Sequence, residues 1–499
     1  MRGYAGFWRA GWLRRVWMLW LWCCVSGAAL ANDQLRIGIQ LEPPGLDPTS
    51  TAAATAGEIT YANVFEGLTV ADGKGQLRPR LATGWTLSPD GLRYEFHLRE
   101  GVHFHDGTAF NAAVAVWSLQ RILQPSAQNP QREWFTKIRS VQAEGPNKLV
   151  VQLSSPDALL PFALALPAAV MVHPDTAASN ATHPVGTGPF RFVRWHKTRL
   201  VQLERQSRYW GKRPVLRQVQ FLFLHSTAET ENMLAEGLVD GLNSVTKFTQ
   251  HFTLRPDYRL QHRLFESKMI LAINNARPPF NDVRVRRALS HAINREQMST
   301  LYGADLKGRV IGSHFSPSHP AYVDLAQRYP YDPERARTLL AQAGVRKGHL
   351  LALLVPPTDY GRYGGLMVAS DLEAVGFRVE LMPTDWERWM NQVFKQRDYE
   401  LTLIMHVEPM DLNIYARDDY YFNYQNTTFK DIWHQVLAAR DQSELYRLLG
   451  AAQRQVAEDA VNVFLFMRPE RNLMHKDLRG MWESSPIPSF VLEDLYWAK

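Results

Sequence analysis

The chain has 499 residues, of which 45% are hydrophobic and 21% charged, and its formal net charge is +7. One hydrophobic core cannot absorb that length, so two or more domains are expected. The composition excludes a disordered or low-complexity protein, and two adjacent cysteines, Cys23 and Cys24, cannot build a disulfide framework.

Residues 1–31 have the make-up of a secretory leader. Arg2, Arg9, Arg14 and Arg15 precede an apolar run from Val16 to Val25, and small residues end in Ala29-Leu30-Ala31. This predicts a signal peptide cleaved after Ala31, with Asn32 as the first mature residue. The run is too short to span a bilayer as a retained helix. The four arginines are accompanied by no acid, so their loss lowers the formal charge by four, to +3. So mild a balance gives no support to a nucleic-acid partner. Both cysteines leave with the leader, which excludes thiolate metal sites and a cysteine nucleophile. Trp22 before Cys23 is also unlike the small residue that precedes a lipidated cysteine. The expected product is a soluble protein of a Gram-negative periplasm.

Gln34–Leu41 alternates as a strand and leads into Glu42-Pro43-Pro44-Gly45-Leu46-Asp47-Pro48, where proline blocks strand and helix alike. Gly57–Leu68 reads as a helix with Ile59, Ala62, Val64 and Phe65 on its apolar side. Ser88-Pro89-Asp90-Gly91 is a turn, and Leu92, Tyr94, Phe96 and Leu98 alternate with polar residues as a half-buried strand. Asp106-Gly107 makes a second turn, and Asn111 is placed to cap a helix carrying Val114, Trp117, Leu119 and Ile122. Strands follow at Leu149–Leu153, Arg191–Trp195, Val215–Leu224 and Met269–Asn274, with short buried helical pieces between Pro156 and Val172. Ser226 opens a helix ending near Gly237. Asn281 or Asp282 caps another, whose Val285, Ala288, Leu289, Ala292 and Ile293 share one face. Asp332-Pro333 starts a helix that Gly344 ends, and Gly376 ends a further one before the strand Arg378–Met382. Alternating strands and helices of these lengths imply α/β sheets with parallel pairing.

Four stretches carry a resemblance: Leu81–Ile122, Pro184-Val185-Gly186-Thr187-Gly188-Pro189-Phe190, Asn274–Arg295 and Tyr331–Gly344. Together they resemble the family 5 extracellular solute-binding proteins, the dipeptide-, oligopeptide- and nickel-binding components of ABC importers. The resemblance implies an α/β periplasmic binding protein fold, two α/β lobes with hinge strands plus an inserted smaller domain. The implied division is 32–75, 185–270 and 466–499 for lobe I, 76–184 for the inserted domain, and 271–465 for lobe II. It also implies a small peptide or peptide-like ligand, an inner-membrane ABC permease as partner, a monomer, no cofactor and no enzymatic activity. Asp47 and Thr51 belong to a loop expected to run to the ligand cleft. Gly186, Thr187 and Gly188 form either a sharp crossover turn or a hinge-side border of the ligand.

No catalytic motif of hydrolases, zinc proteases or nucleotide-binding enzymes occurs. His103 and His105 share one face of a short strand, but no third metal ligand lies near them in sequence. Tyr399–Tyr424 is the informative stretch. Peptide-binding relatives carry a Trp here, followed by an acid that pairs with the ligand's amino group. In this chain His406 stands at the Trp position, and the candidates for the acid are Glu408 and Asp411, each displaced from the common position. That departure keeps a metal-chelate or opine receptor open as the alternative, with a hydrolase or a periplasmic sensor more remote. Tyr415, Tyr420 and Tyr421, with Trp386 and Trp389, are either an aromatic lining or core. Arg362, beside Tyr360 and Tyr363 in a glycine-bearing loop, is either a surface residue or a clamp for a ligand carboxylate.

Overall fold

The computed structural model describes residues 32–125, 128–245, 256–482, 484–487 and 489–498. The expected leader and its cleavage site lie outside the described residues. Strand β1 (Gln34–Ile39) and helix α1 (Ala54–Thr60) open the chain. An inserted four-stranded sheet contains β2 (Ala82–Leu87), β3 (Arg93–Leu98), β4 (Ile138–Ala143) and β5 (Lys148–Leu153), with α2 (Ala112–Leu123) beside it. The chain returns through β6 (Phe190–His196), β7 (Leu200–Arg205), β8 (Gln218–Phe223), α3 (Thr227–Ala235) and β9 (Gly241–Leu242).

The 16-residue strand β10 (Tyr258–Ile273) then crosses into a second α/β unit. That unit holds α4 (Val283–Ala292), α5 (Pro333–Gln342), β11 (Leu350–Val355), α6 (Asp359–Ala374), β12 (Arg378–Pro383), β13 (Leu401–His406), α7 (Thr427–Ala438) and α8 (Gln442–Glu458). The 13-residue strand β14 (Val463–His475) crosses back.

All of this except the inserted sheet shares one 12-stranded sheet, whose main path is β12-β11-β13-β10-β14-β9-β1-β8-β7-β6. β10 and β14 occupy its middle, pairing antiparallel, with a register break between Leu264 and Lys268. On one side of the break β14 pairs with β9; on the other β10 pairs with β13. The two strands therefore belong to both lobes and form the connection between them. Parallel pairing holds for β1 with β8 and β9 and for β11 with β12 and β13, while β6, β7 and the crossing strands are antiparallel. The result is a mixed sheet, in which the expected parallel pairing is joined by antiparallel edge and crossing strands.

Local signals explain most of the elements. Asn111, Asp282 and Asp332 each accept a backbone N–H with the side-chain oxygen at a helix start, and Pro333 takes the first helical position. Tyr94, Phe96 and Leu98 point into the inserted unit's core while Arg93, Glu95 and His97 do not. Burying one such apolar side chain contributes about 1.5–3 kcal/mol.

Two expectations fail here. The helix predicted over Gly57–Leu68 stops at Thr60, because Ala62 takes a left-handed φ of 60° and turns Val64 and Phe65 into the core as part of a loop. Tyr360, Arg362 and Tyr363 lie in the first turns of α6, not in a loop.

The N-terminal end of lobe I is finished by the other end of the chain. Asn63 donates through Nδ2 to the carbonyl of Phe490, and its Oδ1 accepts from Leu492 N, at 2.8 and 3.0 Å. No helix among the described residues is long and apolar enough to cross a membrane.

Candidate functional site

Three features meet around the crossing strands: a buried ionic cluster, an exposed aromatic wall and a polar cavity. The cluster forms because β10 presents Glu266 and Lys268 on one face while the loop after β13 folds back over it. Lys268 is 1% exposed and its Nζ lies 3.2 Å from Glu266 and 3.3 Å from Asp411. It also donates to the Glu408 carbonyl at 2.7 Å. Asp411 Oδ2 lies 3.1 Å from His314 Nε2 and 3.3 Å from His406 Nδ1.

Proton positions follow from the partners. The Tyr421 hydroxyl donates to His406 Nε2 at 2.8 Å, so His406 Nδ1–H points at Asp411. The Asn462 amide donates to the Tyr415 oxygen, whose hydroxyl proton goes to His314 Nδ1 at 2.7 Å, which leaves Nε2–H for Asp411. Burial lowers the His314 pKa to about 4, so this imidazole is neutral at pH 7. Burial opposes the charge on Asp411, but His314 and Lys268 outweigh it and hold the carboxyl well below its usual range. Burial likewise opposes the Lys268 charge, and Asp411 with Glu266 reverses that effect and raises its pKa.

His314, His406 and Asp411 offer ligand atoms within 4.8 Å of one another, a spacing that suits a metal ion. Lys268 stands in the same shell, however, and both imidazoles already give their N–H to the carboxylate. The group is built as an internal ion pair. His103 is exposed and contacts Gly101 O, whereas His105 is half-buried against Gly188 O, so these two form no ligand pair.

The aromatic wall lies on lobe II. Residues Trp389–Lys395 form a π-helical stretch after a short turn at Trp386–Arg388, a form that recurs at functional sites. Trp389 is buried and donates from Nε1 to Thr402. Trp386 packs edge-on against it with ring centres 5.9 Å apart, yet is 46% exposed, and Met390, Phe394 and Val407 are exposed beside it. Phe394 contacts Tyr420, which sits near enough to Glu133 of the inserted unit to feel its charge. Glu408 is exposed at the edge of this surface. So many exposed large apolar side chains together mark a contact surface.

The cavity has a volume of about 200 Å³ and lies at the carboxyl ends of β1 and β9, beside β10 and β14. In an open α/β sheet this is where ligands bind, because neighbouring connections depart to opposite faces there. Its charged lining is Glu58 from α1, Arg263 from β10, and Arg468 and Glu470 from β14, with Asn243 following β9. Asn243 donates to Glu58, and Glu470 accepts from Ser244 at 3.0 Å and from Arg468 at 3.2 Å. Burial raises the Glu58 pKa to about 7 against the opposing pull of Asn243 and Arg263.

The residues proposed from sequence fall in different places. His406, Asp411 and Tyr415 come together in the ionic cluster, and Trp386 and Glu408 at the aromatic wall. Tyr360 is half-buried close to Arg468. Arg362 is exposed and pairs with Asp359 at 3.0 Å. Asp47 is 1% exposed, accepting from Thr49 and pairing with Arg121 of α2, and Thr51 Oγ1 accepts from Ala53 N. Gly186 and Gly188 pack against the backbone of Asn63 and Val64, where a Cβ would overlap the carbonyl oxygens. Thr187 donates to buried Glu66 at 2.8 Å. The six charged or amide residues of the cavity, Gln40 among them, and also Lys268 and His314, had no motif to announce them. The available signal was Arg263, Glu266, Arg468 and Glu470 standing among the apolar residues of two long strands.

Residues 76–430 match the model of the bacterial extracellular solute-binding proteins, family 5 Middle. The glutathione-binding protein GsiB of Escherichia coli (strain K12) is 26% identical over 496 residues, which cover 94% of this chain and 96% of that protein. The ABC transporter-associated periplasmic binding protein DppA from Helicobacter pylori, in complex with the peptide STSA, matches with a TM-score of 0.72. It is 22% identical, and the match covers 93% of this chain and 98% of that one. The structure of AgaA in complex with agropinic acid, from A. tumefaciens R10, matches with a TM-score of 0.71 at 24% identity, covering 93% and 99%.

Proposed function

Because the chain belongs to the bacterial extracellular solute-binding proteins of family 5, we propose that it captures a small peptide or peptide-like solute between its lobes and hands it to an ABC permease. The observation that carries this reading is the polar cavity at the carboxyl ends of β1 and β9, bordered by the two strands that join the lobes. A ligand held there touches the connection itself, so binding favours one arrangement of the lobes over another. In this reading the chain is exported to the periplasm by residues 1–31, acts as a monomer and does no chemistry on its ligand. Lobe I comprises 32–75, 185–270 and 466–499, with 76–184 inserted and 271–465 forming lobe II.

The structure bears on which acid meets a ligand amine. Asp411 is committed to Lys268, His314 and His406, whereas Glu408 is exposed beside the aromatic wall. We therefore assign contact with a ligand N–H donor on this face to Glu408 and stacking to Trp386. Glutathione, the peptide STSA and agropinic acid, the ligands of three relatives, are all compounds of this general chemistry.

Native mass spectrometry of protein purified without added ligand tests the proposal. The expected result is a bound solute of peptide-like mass, together with a smaller radius of gyration in solution scattering when it is present. Stoichiometric metal in the purified protein, retained after dialysis and lost in His406→Ala, would instead favour the metal-chelate reading. Cleavage of a peptide pool would revive the hydrolase.

A further inference from the structure

The cavity beside the crossing strands contains two carboxylates, Glu58 and Glu470, and two guanidinium groups, Arg263 and Arg468. These four come from α1, β10 and β14, so the cavity is assembled from three separate parts of the chain. Opposite charges are already paired across it, Arg468 with Glu470 at 3.2 Å. The Arg468 Nε–H has no hydrogen-bond partner among the described residues and lies buried behind the cavity wall. Glu58 accepts from Asn243 through one oxygen, Oε1. Both signs of charge stand side by side here, so a lone cation or a lone anion meets attraction from one half of the site and repulsion from the other. The site suits a group that carries both charges on adjacent atoms.

Size narrows the choice. About 200 Å³ is the volume of roughly seven water molecules. An α-amino-acid head, an ammonium and a carboxylate on one carbon, has five non-hydrogen atoms and fits with room for the start of a side chain. We propose that this cavity holds the intact α-amino-acid head of the ligand, its ammonium toward Glu58 and its carboxylate toward Arg468. The inference rests on the solute-capture reading and sharpens it. An ordinary peptide has no such head, because its terminal ammonium and carboxylate stand on different residues. A γ-linked peptide, or an amino acid derivatised on its side chain, keeps one.

Two isomers of identical composition, γ-glutamylalanine and α-glutamylalanine, separate these classes in isothermal titration calorimetry with the mature protein. The γ isomer is expected to bind at least tenfold more tightly. N-acetylation of that isomer, Glu58→Gln and Arg468→Gln are each expected to weaken it at least tenfold, and the two substitutions to weaken the α isomer by a smaller factor than the γ isomer. Circular dichroism shows whether each variant is folded; Glu58→Gln removes a buried acid and keeps the shape. Equal affinity for the two isomers, or γ binding that ignores both substitutions, overturns the inference. If neither isomer binds while the protein retains members of a tryptic-peptide mixture, the head-group inference fails and solute capture stands. If no solute is retained at all, the capture reading fails as well.

Discussion

Replacing Lys268 by methionine removes one positive charge from a place where two carboxylates stay behind. Lys268 is 1% exposed, and Glu266 and Asp411 lie 3.2 and 3.3 Å from its ammonium. The methionine fills nearly the same volume, so little cavity forms and the loss is electrostatic. Asp411 keeps only the N–H groups of His314 and His406, and breaking a buried pair from one side costs about 3–5 kcal/mol. With an unfolding entropy of about 2 cal/mol/K per residue, a chain of this length loses stability at about 1 kcal/mol per kelvin near the midpoint. The expected fall in melting temperature at pH 8 is therefore about 3–5 °C. It should shrink below pH 5, where Asp411, no longer held low by an ammonium, takes up a proton. Asp411→Asn on its own leaves the ammonium with Glu266 alone, whereas the double variant removes the Lys268–Asp411 pair together and should recover about 2 kcal/mol of the summed losses. Differential scanning calorimetry of the four proteins at pH 5 and pH 8 measures all of this. A drop under about 1 °C at pH 8, or strict additivity in the double variant, would refute the view that this pair is a structural unit.

Glu58 gives a second prediction. Its pKa is raised from 4.5 to about 7 by burial, so the folded protein holds this proton more tightly than the unfolded chain. The associated stability is complete below pH 4.5 and lost as the pH rises through 7, about 3 kcal/mol in all. Glu58→Gln should flatten that slope and melt above the parent at pH 8; parallel pH–stability curves would count against it. Gly186→Ala places a methyl group against the Val64 carbonyl and should cost more than about 3 kcal/mol, read as poor expression or a melting temperature at least about 3 °C lower. Trp386→Ala should leave the melting point within about 1 °C, because the ring is 46% exposed, while weakening ligand capture at least about tenfold. Normal capture by that variant would remove the aromatic wall from the site.

Features that depend on a few consecutive residues are legible in the sequence itself. Asn111, Asp332 with Pro333, and the alternation through Leu92–Leu98 specify their own caps and strands, and the protein forms them there. The start of α6 resists such reading because Gly361, Gly364 and Gly365 depress helix propensity. They are there for packing, since a Cβ on Gly365 would stand 2.9 Å from Val355 and one on Gly364 would crowd Leu403. Tertiary contact wins over propensity at that point. The cavity is out of reach for another reason. Glu58 and Asn243 are 185 residues apart, and Arg263 and Glu470 face each other only through the pairing of β10 with β14. Charges at intervals along a strand identify no partner until the register is known. The same holds for His314, which reaches Asp411 from 97 residues away.

The link from Asn63 to Phe490 and Leu492 has a consequence for how the molecule is made. A segment from the start of the mature sequence waits for one that emerges from the ribosome more than 400 residues later. Until then the Asn63 Oδ1 lacks the Leu492 N–H and the slot for Phe490 is empty, so this part of the fold stays incomplete throughout synthesis. The two ends of the chain thus close the fold together, and this last contact is formed only after the whole polypeptide is present.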